Sequence, residues 1–134
     1  MKKFKKDNKR MKKPKIFIAC DTTSLTKVKK IIKQSQTSKI KIGYKFGLEF
    51  MNSKNGRQFI SKLKNKIIFV DLKLNDTVNT MLSAVKALGD LKINYLTVHI
   101  SSGLTALKAV KKVSKSTKII GVTTLTSLNN KDLK

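Results

Sequence analysis

Two acidic residues flank a lysine at residues 71–76, in a chain that is otherwise strongly basic. The segment IIFVDLKLNDTVNT, residues 67–80, runs from four apolar residues straight into Asp71, Lys73 and Asp76. The 134-residue chain has 7 acidic residues against 31 lysines and arginines, for a formal net charge of +24. A charged group beside an apolar run is costly unless it is paired or used. This segment is therefore the first candidate for a chemical site.

The alternation of side chains along a strand predicts how Asp71 and Lys73 lie relative to each other. Residues two apart point to the same face of a strand, so both should share the face of Phe69, with Leu72 on the opposite face. An ammonium group beside a carboxylate keeps both groups ionised where water is scarce. A lysine held in this way can deliver a proton to a carbanion, while the carboxylate opposes a negative group on the substrate. The pair therefore predicts a decarboxylation site.

Five apolar strands alternate with amphipathic helices along the chain. The predicted strands are KIFIAC (15–20), IKIGYKFG (40–47), KIIFVDLKL (66–74), NYLTVHI (94–100) and KIIGVTTLT (118–126). The predicted helices are SLTKVKKIIKQ (24–34), with Ser24 as N-cap, GRQFISKLKN (56–65), TVNTMLSAVKALGDL (77–91) and GLTALKAVKKVSK (103–115). Strands that are apolar almost throughout and alternate with such helices indicate a parallel sheet covered on its outer side.

Polar residues at the strand ends favour a barrel over an open, doubly wound sheet. They end or follow five consecutive strands: Asp21, Lys45, Asp71, Lys73, His99 and Thr126. Ligand groups of an open sheet gather at one switch point, whereas every strand end of a barrel faces a common mouth. We therefore predict an α/β fold of the (β/α)8 TIM-barrel type, incomplete, with about five βα units present. Because such barrels take about 250 residues, we expect the chain to be the N-terminal part of a longer domain.

The first residues differ in composition from the rest. Residues 1–15, MKKFKKDNKRMKKPK, contain eight lysines and one arginine against one aspartate. They are predicted to be a disordered basic tail, whereas residues 16–134 form the partial barrel; Met1 and Met11 are both candidate start residues. The single cysteine, Cys20, excludes an internal disulfide and favours a reducing cytoplasm. No stretch approaches the length needed to span a bilayer, so no membrane partner is expected.

The high positive charge raises the question of a nucleic-acid partner. Of the 31 basic residues, only Arg10 and Arg57 are arginines, whereas phosphate and base recognition favour the planar guanidinium. The lysines are also spread along every predicted helix. A dedicated nucleic-acid partner is therefore not expected, and the positive field suits a phosphorylated small molecule equally well.

The segment around Asp71 resembles a known signature. DLKLNDTVNT (71–80) is similar to the Asp-x-Lys-x-x-Asp motif of orotidine 5'-phosphate decarboxylase, including the trailing Asn-Thr. Four further segments resemble the same family in order and spacing: IACD its first-strand aspartate, KFGLEF its second-strand lysine, VHISSG its fourth-strand segment and GVTTLTS its fifth-strand end. The resemblance covers roughly residues 15–134. It implies a carboxy-lyase that converts orotidine 5'-phosphate to UMP and CO2 in de novo pyrimidine biosynthesis, with no metal and no organic cofactor.

The resemblance also implies roles for the charged residues. Asp71 would lie against the scissile carboxylate of the substrate, and Lys73 would protonate C6 of the pyrimidine after CO2 leaves. Asp21 and Lys45 would hydrogen-bond the ribose hydroxyls, with Lys45 also belonging to the catalytic charged array. Lys41 competes for the role of Lys45, but the residues that follow Lys45 match the family better.

Further implied roles involve a second subunit and the fifth strand. Asp76, a member of the catalytic array, and Thr80 would reach into the active site of a partner subunit, which implies a homodimer. Thr126, with Ser127 as a second candidate, would contact the substrate. In the family, a glutamine, an arginine and a glycine-rich turn from the last strands and loops bind the phosphate. Because remote phosphate contacts stabilise the transition state, we expect these 134 residues by themselves to be inactive or nearly so.

Other interpretations stay open for several features. One alternative function is a sister barrel with the same motif, such as a sugar-phosphate decarboxylase or aldolase that acts through a metal. Another is a non-catalytic basic fragment that binds nucleic acid. For His99, a structural histidine is favoured over a site residue. For Cys20, a small buried residue is favoured over a nucleophile. Residues 101–103 are interpreted as a loop and helix cap.

Overall fold

The structure is a computed structural model that describes residues 15–129 and 131–132. The predicted basic tail lies outside the described residues, except for Lys15, which begins the first strand. The strands are β1 (Lys15–Ala19), β2 (Lys41–Gly47), β3 (Ile67–Leu74), β4 (Tyr95–His99) and β5 (Lys118–Val122). The helices are α1 (Leu25–Gln34), α2 (Leu48–Met51), α3 (Gly56–Lys62), α4 (Val78–Ala87) and α5 (Gly103–Val113), with a 3-10 turn over Ile100–Ser102. Among the described residues, no helix has the length and apolar content needed to cross a membrane.

The five strands form one parallel sheet in the order β1-β2-β3-β4-β5. This confirms the predicted parallel sheet, and the sequential order is that of neighbouring strands in a β/α barrel. Two details differ from the prediction. The sequence pattern does not predict α2, because four residues are too few to show a helical period. The last strand ends at Val122 and no helix follows it among the described residues, so four complete βα units and a fifth strand are present there.

The core lies between the helices and the outer face of the sheet. Buried residues alternate along the three central strands: Tyr44 and Phe46, Ile68 and Val70, Leu96 and Val98. Three helices contribute buried residues four positions apart, which share one helix face: Val28 and Ile32, Met81 and Val85, Ala106 and Val110. Because these side chains seal the outer face, the alternate residues of each strand are left to the inner face of the sheet.

Aromatic rings of β1, β3 and β4 contact one another on the inner face. The ring of Phe17 on β1 contacts Phe69 on β3 and Tyr95 on β4 edge to face, with centroids 5.3 and 5.1 Å apart. β2 lies between these strands and carries Gly43, where a Cβ would lie 2.6 Å from the Phe17 ring and 3.2 Å from a methyl group of Ile67. Glycine therefore leaves the space through which the rings of β1 and β3 meet across β2.

Candidate active site

Three charged side chains converge at the carboxyl ends of β2 and β3. The Asp71 Oδ2 atom accepts hydrogen bonds from Lys45 Nζ at 3.2 Å and from Lys73 Nζ at 2.9 Å. Gly47, the last residue of β2, pairs with Asp71. Lys45 lies two residues earlier, so it shares the inner face with Gly47. The expected proximity of Asp71 and Lys73 is therefore confirmed, and Lys45 joins them. We refer to Lys45, Asp71 and Lys73 as the lysine–aspartate cluster.

The backbone around Lys73 is irregular, although the sequence predicts a regular strand. Val70 pairs with Leu96 and Leu74 with Val98, so β3 advances four residues where β4 advances two. Lys73 itself has φ 48°, a left-handed conformation that residues other than glycine seldom adopt. Simple alternation is therefore wrong for this stretch, and the two side chains meet through a bulge, a feature common beside active sites.

A buried threonine of β4 completes the contacts of the cluster. The Thr97 hydroxyl donates to Asp71 Oδ1 at 2.9 Å and accepts from the Lys73 backbone N–H at 2.8 Å. Sequence reasoning missed Thr97, because a single threonine is common in strands. The available signal is its place between the apolar residues Leu96 and Val98, since a buried hydroxyl needs a partner.

The charge of Asp71 follows from its three side-chain hydrogen bonds and its burial. Burial raises the pKa of a carboxyl group, but donors from Lys73, Thr97 and Lys45, together with the Lys73 charge, outweigh burial and lower the pKa of Asp71 below its ordinary value. The Asp71 side chain is 10% exposed, against 29% for Lys45 and 40% for Lys73. An ionised carboxylate therefore lies beneath two ammonium groups that reach the open end of the sheet.

Asp21 lies beside the end of β2 that carries the cluster, whereas Lys41 lies at the opposite end. The backbone N–H of Cys20 donates to the Lys45 carbonyl at 2.8 Å, which fixes the end of β1 beside β2. The exposed side chain of Asp21 follows directly, and its Oδ1 lies 4.0 Å from the place a Cβ would take at Gly47. Lys41 begins β2 and pairs with the first residue of β1, at the opposite end of the strand. The structure therefore favours Lys45 over Lys41.

Asp76 and Thr80 meet at the start of α4, apart from the cluster. Asp76 Oδ1 accepts from the Thr77 N–H at 2.6 Å, and the hydroxyls of Thr77 and Thr80 lie 3.0 Å apart. The backbone N–H of Thr77, followed by the Thr80 hydroxyl, lowers the pKa of Asp76. Both Asp76 and Thr80 are exposed. Within the described part of the chain, neither makes a hydrogen bond or ion pair with the cluster.

The remaining candidates have separate surroundings. Thr126 and Ser127 are exposed in the turn after β5. His99 ends β4, and its carbonyl accepts from the Ser102 hydroxyl. Ser102 is the N-cap residue of α5, which agrees with the predicted loop and helix cap, but its side chain makes no capping hydrogen bond because its hydroxyl donates to the His99 carbonyl. Across residues 15–129 and 131–132, no three histidine, cysteine, aspartate or glutamate side chains group as metal ligands would.

Cys20 is a buried thiol. Its side chain is fully buried, and burial, followed by the nearby charge of Asp21, raises its pKa to about 11. A thiol with such a pKa is almost entirely protonated at neutral pH and is a poor nucleophile. The interpretation of Cys20 as a small buried residue is therefore confirmed.

Comparison with known proteins places this geometry in a family. Residues 14–134 match the sequence model of the family described as "Orotidine 5'-phosphate decarboxylase / HUMPS family". An orotidine 5'-phosphate decarboxylase of Malacoplasma penetrans is 37% identical over 124 residues, which are 88% of this chain and 52% of that protein. One of Wolbachia sp. subsp. Brugia malayi is 40% identical over 123 residues, which are 88% of this chain and 53% of that protein. The chain thus spans about half the length of the curated relatives it matches.

Solved structures agree with the sequence matches. The crystal structure of orotidine 5'-phosphate decarboxylase from Lactobacillus acidophilus superposes with a TM-score of 0.77 at 30% identity, over 90% of this chain and 57% of that one. The Methanocaldococcus jannaschii orotidine 5'-monophosphate decarboxylase, complexed with the inhibitor BMP, gives a TM-score of 0.69 at 26% identity, over 81% and 51% of the two chains. The predicted fold, part of a TIM barrel, is therefore confirmed.

Proposed function

The chain belongs to the orotidine 5'-phosphate decarboxylase / HUMPS family, and on this premise we propose that it carries the charged catalytic cluster of an orotidine 5'-phosphate decarboxylase. The reaction converts orotidine 5'-phosphate to UMP and CO2 in de novo pyrimidine biosynthesis. The observation that carries the proposal is the lysine–aspartate cluster, in which one nearly buried carboxylate holds two ammonium groups at the mouth of the sheet. The names of the matched relatives support the substrate.

The geometry of the cluster suits the loss of CO2 from a pyrimidine. Asp71 is kept ionised, so its charge opposes the carboxylate that leaves. The Lys73 ammonium is the more exposed of the two cations and donates a proton to C6 as negative charge develops there. Since both groups are held by hydrogen bonds before substrate arrives, little reorganisation is needed during the reaction, which is how fixed charges stabilise a transition state.

Lys45 of the cluster and residues around the cluster bind the rest of the substrate. Asp21 and Lys45 bind the ribose hydroxyls, a role supported by their neighbouring places at the ends of β1 and β2. Thr126, with Ser127, contacts the substrate from the turn after β5. Neither contact requires a metal or an organic cofactor, because the ligand groups are ribose hydroxyls and polar atoms of the pyrimidine.

Decarboxylation by a completed barrel tests the function. The chain would be joined to the rest of the Lactobacillus acidophilus barrel, from the helix after its fifth strand to its eighth helix, and CO2 release from carboxyl-labelled orotidine 5'-phosphate measured. We expect turnover that Lys73→Ala lowers by at least about 100-fold, because a proton donor is lost. Lys41→Ala, a lysine on the inner face at the far end of β2, is the matched control and should leave turnover unchanged. Turnover that survives Lys73→Ala, or a folded chimera without turnover, would contradict the proposal.

The same assay examines the 134 residues by themselves. The phosphate-binding elements of the family belong to its last strands and loops, so the free chain is expected to show little or no turnover. Turnover by the free chain at the rate of the chimera would show that these elements are dispensable.

We further propose a cytoplasmic homodimer in which Asp76 and Thr80 act across the interface. Their exposure at the start of α4 supports this. Mixing equal amounts of Lys73→Ala and Asp76→Ala chimeras, each inactive, should restore about a quarter of the activity of the unmodified chimera. After random exchange, half of the dimers contain one subunit of each variant. Such a dimer has one intact site of two, formed by Lys73 of the Asp76→Ala subunit and Asp76 of the Lys73→Ala subunit. No recovery after subunit exchange would show that Asp76 acts within its own subunit.

A further inference from the structure

One hydroxyl, that of Thr97, joins the two catalytic candidates of β3. It donates to Asp71 Oδ1 at 2.9 Å and accepts from the Lys73 N–H at 2.8 Å. The direction of both bonds is fixed, because a backbone N–H only donates and an ionised carboxylate only accepts. The Thr97 residue is 4% exposed, so water does not readily substitute for either bond. The single donor of this hydroxyl is therefore committed to Asp71.

Thr97 also lies at the position where the regular pairing of β3 and β4 is interrupted. Between the pairs Val70 with Leu96 and Leu74 with Val98, Thr97 is the single β4 residue opposite three residues of β3. A regular ladder would offer the Lys73 N–H a backbone carbonyl. Here the Thr97 side chain provides the acceptor instead, and Lys73 adopts its left-handed φ of 48°.

The two oxygens of Asp71 have different partners. Oδ1 accepts from Thr97, whereas Oδ2 accepts from both lysines. A carboxylate held at one oxygen alone could rotate, but bonds to both oxygens fix its plane. Thr97 therefore acts on the direction of Asp71 and on the backbone of Lys73 through one atom.

We propose that Thr97 is a positioning residue, which orients the Asp71 carboxylate and holds the left-handed turn that aims the Lys73 ammonium at the mouth of the sheet. Its value for catalysis rests on the proposed function, but the positioning itself is a property of the chain. Thr97 touches neither substrate nor reacting atoms in this role; it acts through Asp71 and Lys73.

Two variants of the 134-residue chain test the positioning. Thr97→Val keeps the shape and removes the hydroxyl, whereas Thr97→Ser keeps the hydroxyl. Carbon-detected NMR titration should show the pKa of Asp71 raised in Thr97→Val and unchanged in Thr97→Ser. The Lys73 amide proton should exchange with solvent faster in Thr97→Val only. An unchanged Asp71 titration together with an unchanged Lys73 exchange in Thr97→Val overturns the proposal.

The unmodified chain gives a test that does not depend on a folded variant. The register of β3 and β4 gives Lys73 no partner residue, and its N–H donates to the Thr97 hydroxyl, so slow exchange of this proton is expected to depend on that hydroxyl. Exchange at the rate of an exposed amide would overturn the proposal, even if Thr97→Val did not fold.

Activity separates this inference from the proposed function. In the active chimera, Thr97→Val should lower kcat about 10- to 100-fold, the worth of one hydrogen bond to a charged group, with KM changed less than about threefold. Thr97→Ser should restore kcat. Altered NMR parameters without turnover in any form would refute the function and leave the positioning intact. Full kcat in Thr97→Val would refute the value of this positioning for catalysis and leave the proposed function intact.

Discussion

At the scale of single residues, Asp71 determines the charge distribution of the site. Its carboxylate is nearly buried, and the cations that neutralise it are more exposed. Burial by itself would raise the pKa of this carboxyl group, but the hydrogen bonds from Lys73, Thr97 and Lys45 outweigh burial and keep it ionised. Asp71 thus anchors both ammonium groups, and a change at Asp71 alters the whole cluster.

Replacement of Asp71 by asparagine should destabilise the chain at neutral pH. Asp71→Asn keeps the shape but leaves the ammonium groups of Lys45 and Lys73 close together without a counter-charge. We expect the free energy of unfolding at pH 7 to fall by roughly 1–2 kcal/mol, a value reduced from that of a buried pair because both lysines are partly solvated. Urea titration followed by circular dichroism measures this free energy of unfolding. As the control, Glu49→Gln, at an exposed glutamate of α2, should change the free energy of unfolding by less than about 0.5 kcal/mol.

The difference between the unmodified chain and Asp71→Asn should depend on pH in one direction. The pKa of Asp71 is lower in the folded chain than its ordinary value of 3.8. The stabilisation that ionised Asp71 adds to the free energy of unfolding is therefore complete above about pH 5, and it is lost as pH falls below about 4 through the folded pKa. Urea titrations at several pH values should show a constant difference from pH 5 to 8 that shrinks in acid. A difference that grows as pH falls would contradict the lowered pKa.

Cys20 should react slowly with thiol reagents while the chain is folded. Its burial and its pKa of about 11 leave almost no thiolate near neutral pH. Labelling with a maleimide, followed by mass spectrometry, should be at least about 100-fold slower in the folded chain than in urea. Equal rates would show that the thiol is accessible.

Single residues also show where sequence reasoning stops. The proximity of Asp71 and Lys73 is predicted from their spacing, although a bulge and not regular alternation brings the two side chains together, and Lys45 follows from the resemblance. The left-handed φ of Lys73 and the hydroxyl of Thr97 are not readable, because both depend on how far β3 slips against β4. The register between β3 and β4 depends on both strands and on the helix that connects them along the chain, so the residue propensities of either strand alone do not determine it.

At the scale of elements, the strands and long helices follow the sequence pattern closely. Ser24 caps α1 as predicted, since its hydroxyl accepts from the Lys27 N–H at 3.4 Å. Apolar periodicity identifies these elements because each buries one face against the same core. The last predicted strand is four residues too long, since TTLT (123–126) has strand-forming residues but no partner strand over that length among the described residues.

Gly43 should be the glycine of β2 that tolerates no side chain. In Gly43→Ala the new Cβ would lie 2.6 Å from the Phe17 ring, so the contacts of that ring with Phe69 and Tyr95 must shift. We expect a loss of about 1–3 kcal/mol in the free energy of unfolding, the usual effect of overpacking. Gly47→Ala is the matched control on the same strand, because its nearest neighbour would be 4.0 Å away. Thermal and urea unfolding of both variants would compare them, and equal losses would contradict this account.

At the scale of the whole molecule, charge repulsion opposes the folded state. The net charge is +24, and the described residues form three ion pairs: Lys45–Asp71, Lys73–Asp71 and Arg57–Asp90. Salt therefore screens much repulsion and little attraction. We expect Tm to rise by roughly 2–5 °C between about 10 and 150 mM sodium chloride. Calorimetry should give the same rise with potassium chloride, and a fall in Tm would contradict the prediction.

The strict alternation of β2 limits how the chain can change in length. Tyr44 and Phe46 enter the core, while Lys45 between them faces the cluster. One residue inserted after Gly43 would exchange these faces. The Lys45 ammonium group would then lie among the apolar side chains of the core, and the rings of Tyr44 and Phe46 would lie at the mouth of the sheet. Insertions between α1 and β2, at residues 35–40, move no such side chain. Length differences among homologous genes should therefore fall in that connection and spare the strand.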